Sequence, residues 1–424
     1  MTKPVEIVTI TKIVPIFKDT TEANAINVIN FSFENGDECG YNVVAQKGLY
    51  ELGDRSVYIQ PDFCLPDISL FESFIRPNGE PNKSRLGKSN RIRAIKFNFQ
   101  FENDTNPIYS FGILMPIPEV EKYLGRHYDE TNLEELLGIT KYEEPEKSGH
   151  GLSKDFPSFL YKTDEENMMN LKSKVGILCD GETEFGATLK TDGSSISIYF
   201  KKDEVGVWTH GVCSRALEKK TDQSYISQYS KDDLIFTKYL NPDTKQMGWK
   251  CESTDVFYTD SEILNTDLTP TKTEIRDSWV ELANKTGIVE RGLMYCRQHD
   301  TQLAFRGEIY GQGLKGSGNK YNPDATKKQG IMLFGLDCID TGFSMRQNYG
   351  DKHNLLNVCD ELRFDYTVPK IFKPKSYDEF CQFCEDIIKE EKIQGRIIEG
   401  VVVRTMYSNK LSCKYMNSEY DSKK

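Results

Sequence analysis

Lys190 is followed two residues later by Asp192 and then by Gly193, in a Lys-Thr-Asp-Gly run that leads into the alternating segment Ile196 to Phe200. A lysine amine attacks an electrophile only after losing its proton. Burial and nearby cations lower its pKa and a carboxylate alone raises it, so a metal ion must offset Asp192. In extended backbone residues i and i+2 share a side, which places Asp192 beside Lys190. Glycine at 193 allows a tight turn or a close approach to a ligand. An exposed turn of the same four residues reads the same way when taken alone.

Two further segments contribute carboxylates. Phe305-Arg306-Gly307-Glu308-Ile309-Tyr310-Gly311 and Ile398-Glu399-Gly400-Val401-Val402-Val403-Arg404 each set one glutamate in an apolar strand pattern. Such a glutamate is costly unless it faces solvent, is paired, or serves a ligand or cation. With Asp192, Glu308 and Glu399 offer the oxygen donors that Mg²⁺ takes directly or through its waters.

Positioning these groups requires strands. The first 120 residues read as β-rich, with alternation in Val5 to Val14, Ile26 to Phe33, Arg55 to Asp62 and from Arg91 to Phe101, separated by glycine and proline. This pattern predicts a small barrel or sandwich. Lys83, Arg85, Lys88, Arg91, Arg93 and Lys96 fall in one stretch without an acid, which suits either a solvated strand edge or a phosphate-contacting surface. A short helix ending near Gly138 and a charged, proline-containing linker put a boundary between Lys141 and Phe156. The division is 1–148 for the barrel and linker and 149–424 for the remainder. Thr163 is the expected N-cap of a short helix through Leu171. Beyond Leu178, strands alternate with helices near Glu274 to Val289 and Tyr377 to Glu391, an α+β pattern. Asp222 to Thr266 reads as loop-rich. Cys381 and Cys384 have no second pair, so a packed helix face is preferred over zinc.

The ordered set resembles the covalent nucleotidyltransferase superfamily of ATP-dependent DNA and RNA ligases and GTP-dependent mRNA capping enzymes. Lys190-Thr191-Asp192-Gly193 is similar to its nucleophile motif, and Cys213-Ser214-Arg215 to the Ser-Arg motif that follows. Glu308 matches the sugar-contacting acid, Phe334 in Leu-Phe-Gly-Leu-Asp the base-stacking aromatic, Glu399 the metal-organising acid, and Lys414 the final phosphate-contacting lysine. The N-terminal stretches Leu52-Gly53-Asp54, Arg91-Ile92-Arg93, Leu136 to Tyr142 and Phe156 to Glu165 resemble the RNA ligases typified by the Deinococcus and Naegleria enzymes. That resemblance implies an OB-like β-barrel followed by a nucleotidyltransferase domain of antiparallel sheets with helices. It implies ATP and Mg²⁺ (or Mn²⁺) as cofactors, with Asp192, Glu308 and Glu399 at the metal and Lys190, Gly193, Arg215, Glu308, Phe334, Glu399 and Lys414 around the nucleotide. The catalytic set is Lys190, Asp192, Glu308, Glu399 and Lys414, and the substrate is RNA with 3′-OH and 5′-phosphate ends in a nicked duplex. A DNA ligase is the alternative, and a GTP-dependent capping guanylyltransferase a more distant one. Two positions depart from the pattern: Met416 stands where a second lysine is common, and Leu189 where a glutamate often precedes the nucleophile.

Bulk composition is compatible with this. The 424 residues are 38% hydrophobic and 28% charged, without a run long enough to span a bilayer and without a signal peptide, so a monomer in the cytoplasm is expected. Eleven scattered cysteines suit reduced thiols better than a disulfide framework. A net charge of −11 weighs against a simple nucleic-acid coat, though affinity follows the local groove rather than the sum.

Overall fold

A computed structural model describes residues 3–125, 128–142, 153–221, 224–242, 244, 246–264, 268–275, 277–314, 327–341, 343–344, 353–407 and 411–423. Five antiparallel strands form the N-terminal sheet, in the order Ile113–Pro116, Arg55–Ile59, Val5–Val14, Ile26–Phe33, Val43–Gln46. Its outer strands come back towards each other, since Phe111 N donates to Asn42 O at 2.9 Å and Val44 N to Ser110 Oγ at 2.9 Å. The result is a nearly closed barrel. The period of two divides the first strand cleanly. Val8 and Ile10 join Phe31, Tyr58 and Leu114 in one core, while Val5 and Ile7 join Phe71, Val120 and Leu133 in another. The strand expected from Arg91 shrinks to Ile95–Phe97, because the Arg91 and Ala94 region is held instead by Asp62 and Asp421.

Two larger sheets follow. A seven-stranded sheet runs Ser153–Asp155, Leu217–Lys219, Trp208–Cys213, Ser194–Lys202, Leu303–Tyr310, Gly330–Cys338, Phe343–Ser344. Helices Ser278–Lys285, Ile288–His299 and Leu355–Leu362 cover one face of it, burying Ile196, Ile198, Phe200, Phe305 and Leu336. The other sheet has five strands, Glu166–Asn167, Ser412–Met416, Gly400–Thr405, Phe185–Leu189 and Lys370–Phe372, backed by helix Tyr377–Ile393 through Phe380, Cys384 and Ile387.

Three expectations shift. The helix placed from Thr163 begins later: Glu166–Asn167 is a strand, the Asn167 side chain caps a 3-10 turn at Met168–Leu171, and the α-helix is Lys172–Leu178. The stretch read as loop-rich is largely a sheet, formed by Phe257–Tyr258, Met247–Cys251, Leu234–Leu240, Ser224–Lys231 and Thr269–Ile275. Its alternation is broken by irregular register around Gln228, and its tightest turn uses Asp232 and Asp233, both at positive φ, in place of glycine. The boundary placed at 148 lies outside the described residues. No described helix is long and apolar enough to cross a membrane.

The barrel is tied to the later sheets by specific contacts. Buried Asn170 donates to Gln60 Oε1 at 3.0 Å, Gly40 N donates to Met169 O at 2.9 Å, and Lys172 pairs with Glu38. Helix Ser418–Lys423 reaches the barrel side through Asp421, whose Oδ2 accepts from Ala94 N at 3.2 Å.

Candidate active site

Lys190 sits where the chain leaves one sheet for the other. Phe185–Leu189 is paired with Gly400–Thr405 in the five-stranded sheet, and Lys190 N extends that pairing by donating to Gly400 O at 2.9 Å. Four residues later the chain enters Ser194–Lys202 in the seven-stranded sheet. The crossing turns the Lys190 side chain towards Glu399, with Nζ 2.7 Å from Oε2. Glu399 is nearly sealed from solvent at 6% side-chain exposure, while Lys190 keeps 27%. A buried acid beside a partly exposed amine leaves the lysine accessible to an incoming electrophile and supplies it with a fixed counter-charge.

Asp192 is buried on the same crossing. Gly193 has a reason in the chain itself: a Cβ there would lie 2.0 Å from Ile309 O and 3.0 Å from Glu308 Cγ. The close approach anticipated for a ligand is therefore made by the strand that carries Glu308. Ser195 pairs with Glu308 across that strand contact, so Gly193 sets the spacing between the Lys190 turn and Glu308. Gly193→Ala is expected to cost about 2–4 kcal/mol of stability, because backbone and not a flexible side chain must move. Thermal melting measures this, and a loss below 1 kcal/mol (an order-of-magnitude bound) would show that the turn yields easily.

Phe334 lies in Gly330–Cys338 at a register shift, between Leu333 opposite Gly307 and Gly335 opposite Arg306. The bulge leaves its half-buried ring beside the other sheet, with the Arg404 guanidinium 6.0 Å from the ring centroid. Arg404 is itself buried and fixed, donating to Glu165 Oε1 at 2.7 Å and to Ser412 Oγ at 3.1 Å. Phe334 thus marks the contact line between the two sheets.

Lys414 is on Ser412–Met416, opposite Val402 and, in parallel, Asn167. Burial pushes its ammonium below the ordinary lysine value. Asp62 pulls it back up, Lys190 pushes it down, and Glu399 and Asp164 raise it. The groups that Lys414 feels therefore come from the barrel, the Lys190 crossing and the sheet beneath it. With its pKa depressed on folding, Lys414 burdens the native state fully while both states are protonated. That burden fades as pH rises through the folded value towards 10.5. Lys414→Met is therefore expected to melt about 2–4 °C higher at pH 7, with a smaller gain at pH 10. Calorimetry at the two pH values checks the sign.

Arg215 follows Trp208–Cys213 and binds Asp164, Nη2 to Oδ2 at 3.0 Å. Burial raises the Asp164 pKa, but Arg215 and then Lys141 overcome it, leaving the carboxyl below its usual range. Since Asp164 also acts on Lys414, Arg215 belongs to the same neighbourhood as the Lys190 crossing.

Sequence reasoning did not single out several residues that hold these groups. Arg306, 1% exposed, donates to Asp337 Oδ2 at 2.6 Å, Ser197 Oγ at 2.7 Å and Tyr161 O at 3.0 Å, locking the strand two residues before Glu308. Arg404 and Glu165 stood in quoted segments, yet only folding pairs them. Within the basic stretch, Arg91 is a packing residue: it bonds Asp62, lies 4.0 Å from Asp421 and sits over Tyr142 at 4.8 Å. Lys410, read as a substitute for the lysine absent at 416, and Lys315 and Lys320, read as RNA-phosphate contacts or a solvated loop, lie outside the described residues.

For a divalent cation the donor chemistry is suitable, since carboxylate oxygens are the hard ligands Mg²⁺ and Mn²⁺ take. Among the described residues no three His, Cys, Asp or Glu side chains converge as a ready metal cage. Asp192, Glu399 and Glu308 are the candidate partners for such an ion.

No protein-family model matches the chain, and no curated protein matches it. Solved structures do. A Naegleria gruberi RNA ligase with PPi gives a TM-score of 0.62 at 21% identity, covering 99% of this chain and 98% of that one. A variant of the same ligase with ATP and Mn gives 0.64 at 20%, covering 100% and 99%. A variant with AMP and Mn gives 0.63 at 19%, also covering 100% and 99%. From its barrel to its last helix, the chain shares the fold of the Naegleria gruberi RNA ligase.

Proposed function

We propose that this protein is an ATP-dependent RNA ligase that seals 3′-OH and 5′-phosphate ends through an AMP held on Lys190. The observation that carries the reading is the Lys190–Glu399 pair, 2.7 Å apart at the crossing between two sheets. The partly exposed lysine is open to an incoming nucleotide, and its sealed acidic partner holds the amine in place until a cation offsets that charge. A lysine serving only as a surface cation needs no such partner.

In this reading Lys190 Nζ attacks the α-phosphorus of ATP, forming an N–P bond as the bond to pyrophosphate breaks. Glu399 and Asp192 orient the amine and hold the local charge, and Glu308 fixes the ribose. Phe334 stacks on adenine, with Arg404 holding its ring in place. Lys414 and Arg215 neutralise phosphate charge as it shifts towards the leaving group. Asp192 and Glu399 would hold a Mg²⁺ or Mn²⁺, which would supply Lewis-acid stabilisation of phosphoryl charge and favour the neutral amine. The AMP then passes to the RNA 5′-phosphate, and the 3′-OH displaces it. The division into an N-terminal RNA-binding unit, 1–148, and a catalytic unit, 149–424, belongs to the same proposal.

The test is incubation with α-labelled ATP or GTP and Mg²⁺, followed by nicked RNA and nicked DNA duplexes. ATP-specific label that survives denaturation, with sealing of RNA nicks, is the expected result. Label from GTP alone would replace ligation with capping, and sealing of DNA nicks alone would make it a DNA ligase.

A further inference from the structure

Asp164 is shared by two cations from different parts of the chain. Arg215 Nη2 lies 3.0 Å from Oδ2, and Lys141 Nζ lies 3.2 Å from the same oxygen. Lys141 belongs to the short ribbon Thr140–Lys141 against Phe63–Cys64, on the barrel side, whereas Arg215 follows the strand Trp208–Cys213. One carboxylate oxygen therefore faces two positive charges. Arg215 has a further donor to offer: its Nε is buried and no group accepts from it. A buried guanidinium N–H without an acceptor is costly, and an anion with several oxygens removes that cost where a single carboxylate oxygen does not. Beside Lys141 opens a cavity of about 340 Å³ lined by Cys64, Ser89, Thr140, Lys141 and Tyr142. Its wall at Ser89, next to Asn90, holds two successive non-glycine residues at φ 57°. Lys141 lines this space and reaches Arg215 through the shared Asp164 oxygen.

We propose that Lys141 and Arg215 form a two-sided phosphate-binding site, and that Asp164 is an internal carboxylate that occupies it until a substrate phosphate displaces it. This rests on the ligase reading for its choice of substrate, and the shared ligand chemistry is a phosphate group, from ATP or from the RNA 5′ end. Displacement exchanges one carboxylate oxygen for a phosphate with enough oxygens to meet Lys141 Nζ, Arg215 Nη2 and Arg215 Nε together. It also frees Asp164, which acts on Lys414 in the closed arrangement, so phosphate arrival alters the charge around Lys414 as well. Asp164 is a positioning residue in this scheme, and Lys141 a binding residue contributed from the barrel side.

The experiment uses the full chain carrying Lys190→Met, so that binding is read without transfer. Three probes are titrated with Mg²⁺ present: ATP, nicked duplex RNA with a 5′-phosphate or a 5′-hydroxyl, and tripolyphosphate alone. Asp164→Asn is expected to tighten phosphate binding about two- to fivefold, the range set by partly exposed ion pairs, and Lys141→Met to weaken it by a similar factor. A response confined to ATP assigns the site to the triphosphate. A response to the 5′-phosphate over the 5′-hydroxyl assigns it to the strand end. If Asp164→Asn does not fold, the exposed Lys141→Met change carries the test alone. Tripolyphosphate separates the two readings. Tightening there without ATP-dependent label on the parent protein keeps the phosphate site and removes the ligase. Label on Lys190 with unchanged phosphate affinity in folded Asp164→Asn and Lys141→Met proteins overturns the site.

Discussion

Lys190→Ala is expected to abolish covalent nucleotide labelling, a loss of at least about 10³-fold, while the protein stays folded. Lys414 lies on a different strand and is depressed chiefly by burial, whereas Lys190 is the amine held 2.7 Å from Glu399. Alanine removes the nucleophile together with one half of an ion pair. The retained Glu399 carboxylate, 6% exposed, then loses its Lys190 counter-charge, which is expected to cost about 3 kcal/mol, eased by Lys414 nearby. The measurement is label from α-labelled ATP after denaturation, run beside a melting curve. Undiminished label in a cleanly folded Lys190→Ala protein would move the covalent centre elsewhere and sink the mechanism. Addition of pre-adenylylated nicked RNA refines the result. That substrate needs no lysyl-AMP, so sealing of it by the variant is expected to survive far better than sealing from ATP.

Glu399→Gln carries the second large effect, a fall in the labelling rate of about 10²–10³-fold. Glutamine preserves volume and one acceptor oxygen but removes the charge that fixes the Lys190 amine and that a cation would use. Because Lys190 remains 27% exposed, its ammonium can turn to water, and the stability loss is expected near 1 kcal/mol. A large kinetic loss with a small shift in melting separates a role in transfer from a role in folding. A labelling rate within about threefold of the parent would show that the pair is an incidental contact.

How much of this was legible depended on whether a group's partner lies nearby in sequence. Lys190, Asp192 and Gly193 announce themselves because the chemistry fits within one turn, and Glu308 and Glu399 because a lone acid in an apolar strand is conspicuous. The alternation that builds the barrel was readable for the same local reason. Arg404 was not, because its meaning comes from Glu165, 239 residues away. Nor was Arg306, which looks like an ordinary strand residue until Ser197, Asp337 and the Tyr161 carbonyl surround it. Gly193 was read as a tight turn or a close approach to a ligand, and the neighbour the fold places there is the chain's own Ile309 carbonyl. The sheet between Ser224 and Ile275 was missed because its bulge at Gln228 breaks the period that would have revealed it.

The hydrogen bond from Ala94 to Asp421 spans 327 residues of sequence. During synthesis the barrel strands emerge and can pair early, but Arg91 and the Ala94 amide must wait for Asp421 until both later sheets have been translated. The last helix is anchored behind by Asn417 Nδ2 on Ile398 O at 2.9 Å, and Lys392 meets Glu419 at 2.6 Å. Its docking is therefore the step that joins the earliest-made and latest-made parts of the chain. A contact of such long separation is among the slowest to form, because loop-closure entropy is spent before it returns any stability. Refolding from denaturant is expected to show an early phase reporting local strands and a later one in which barrel and final helix become protected together.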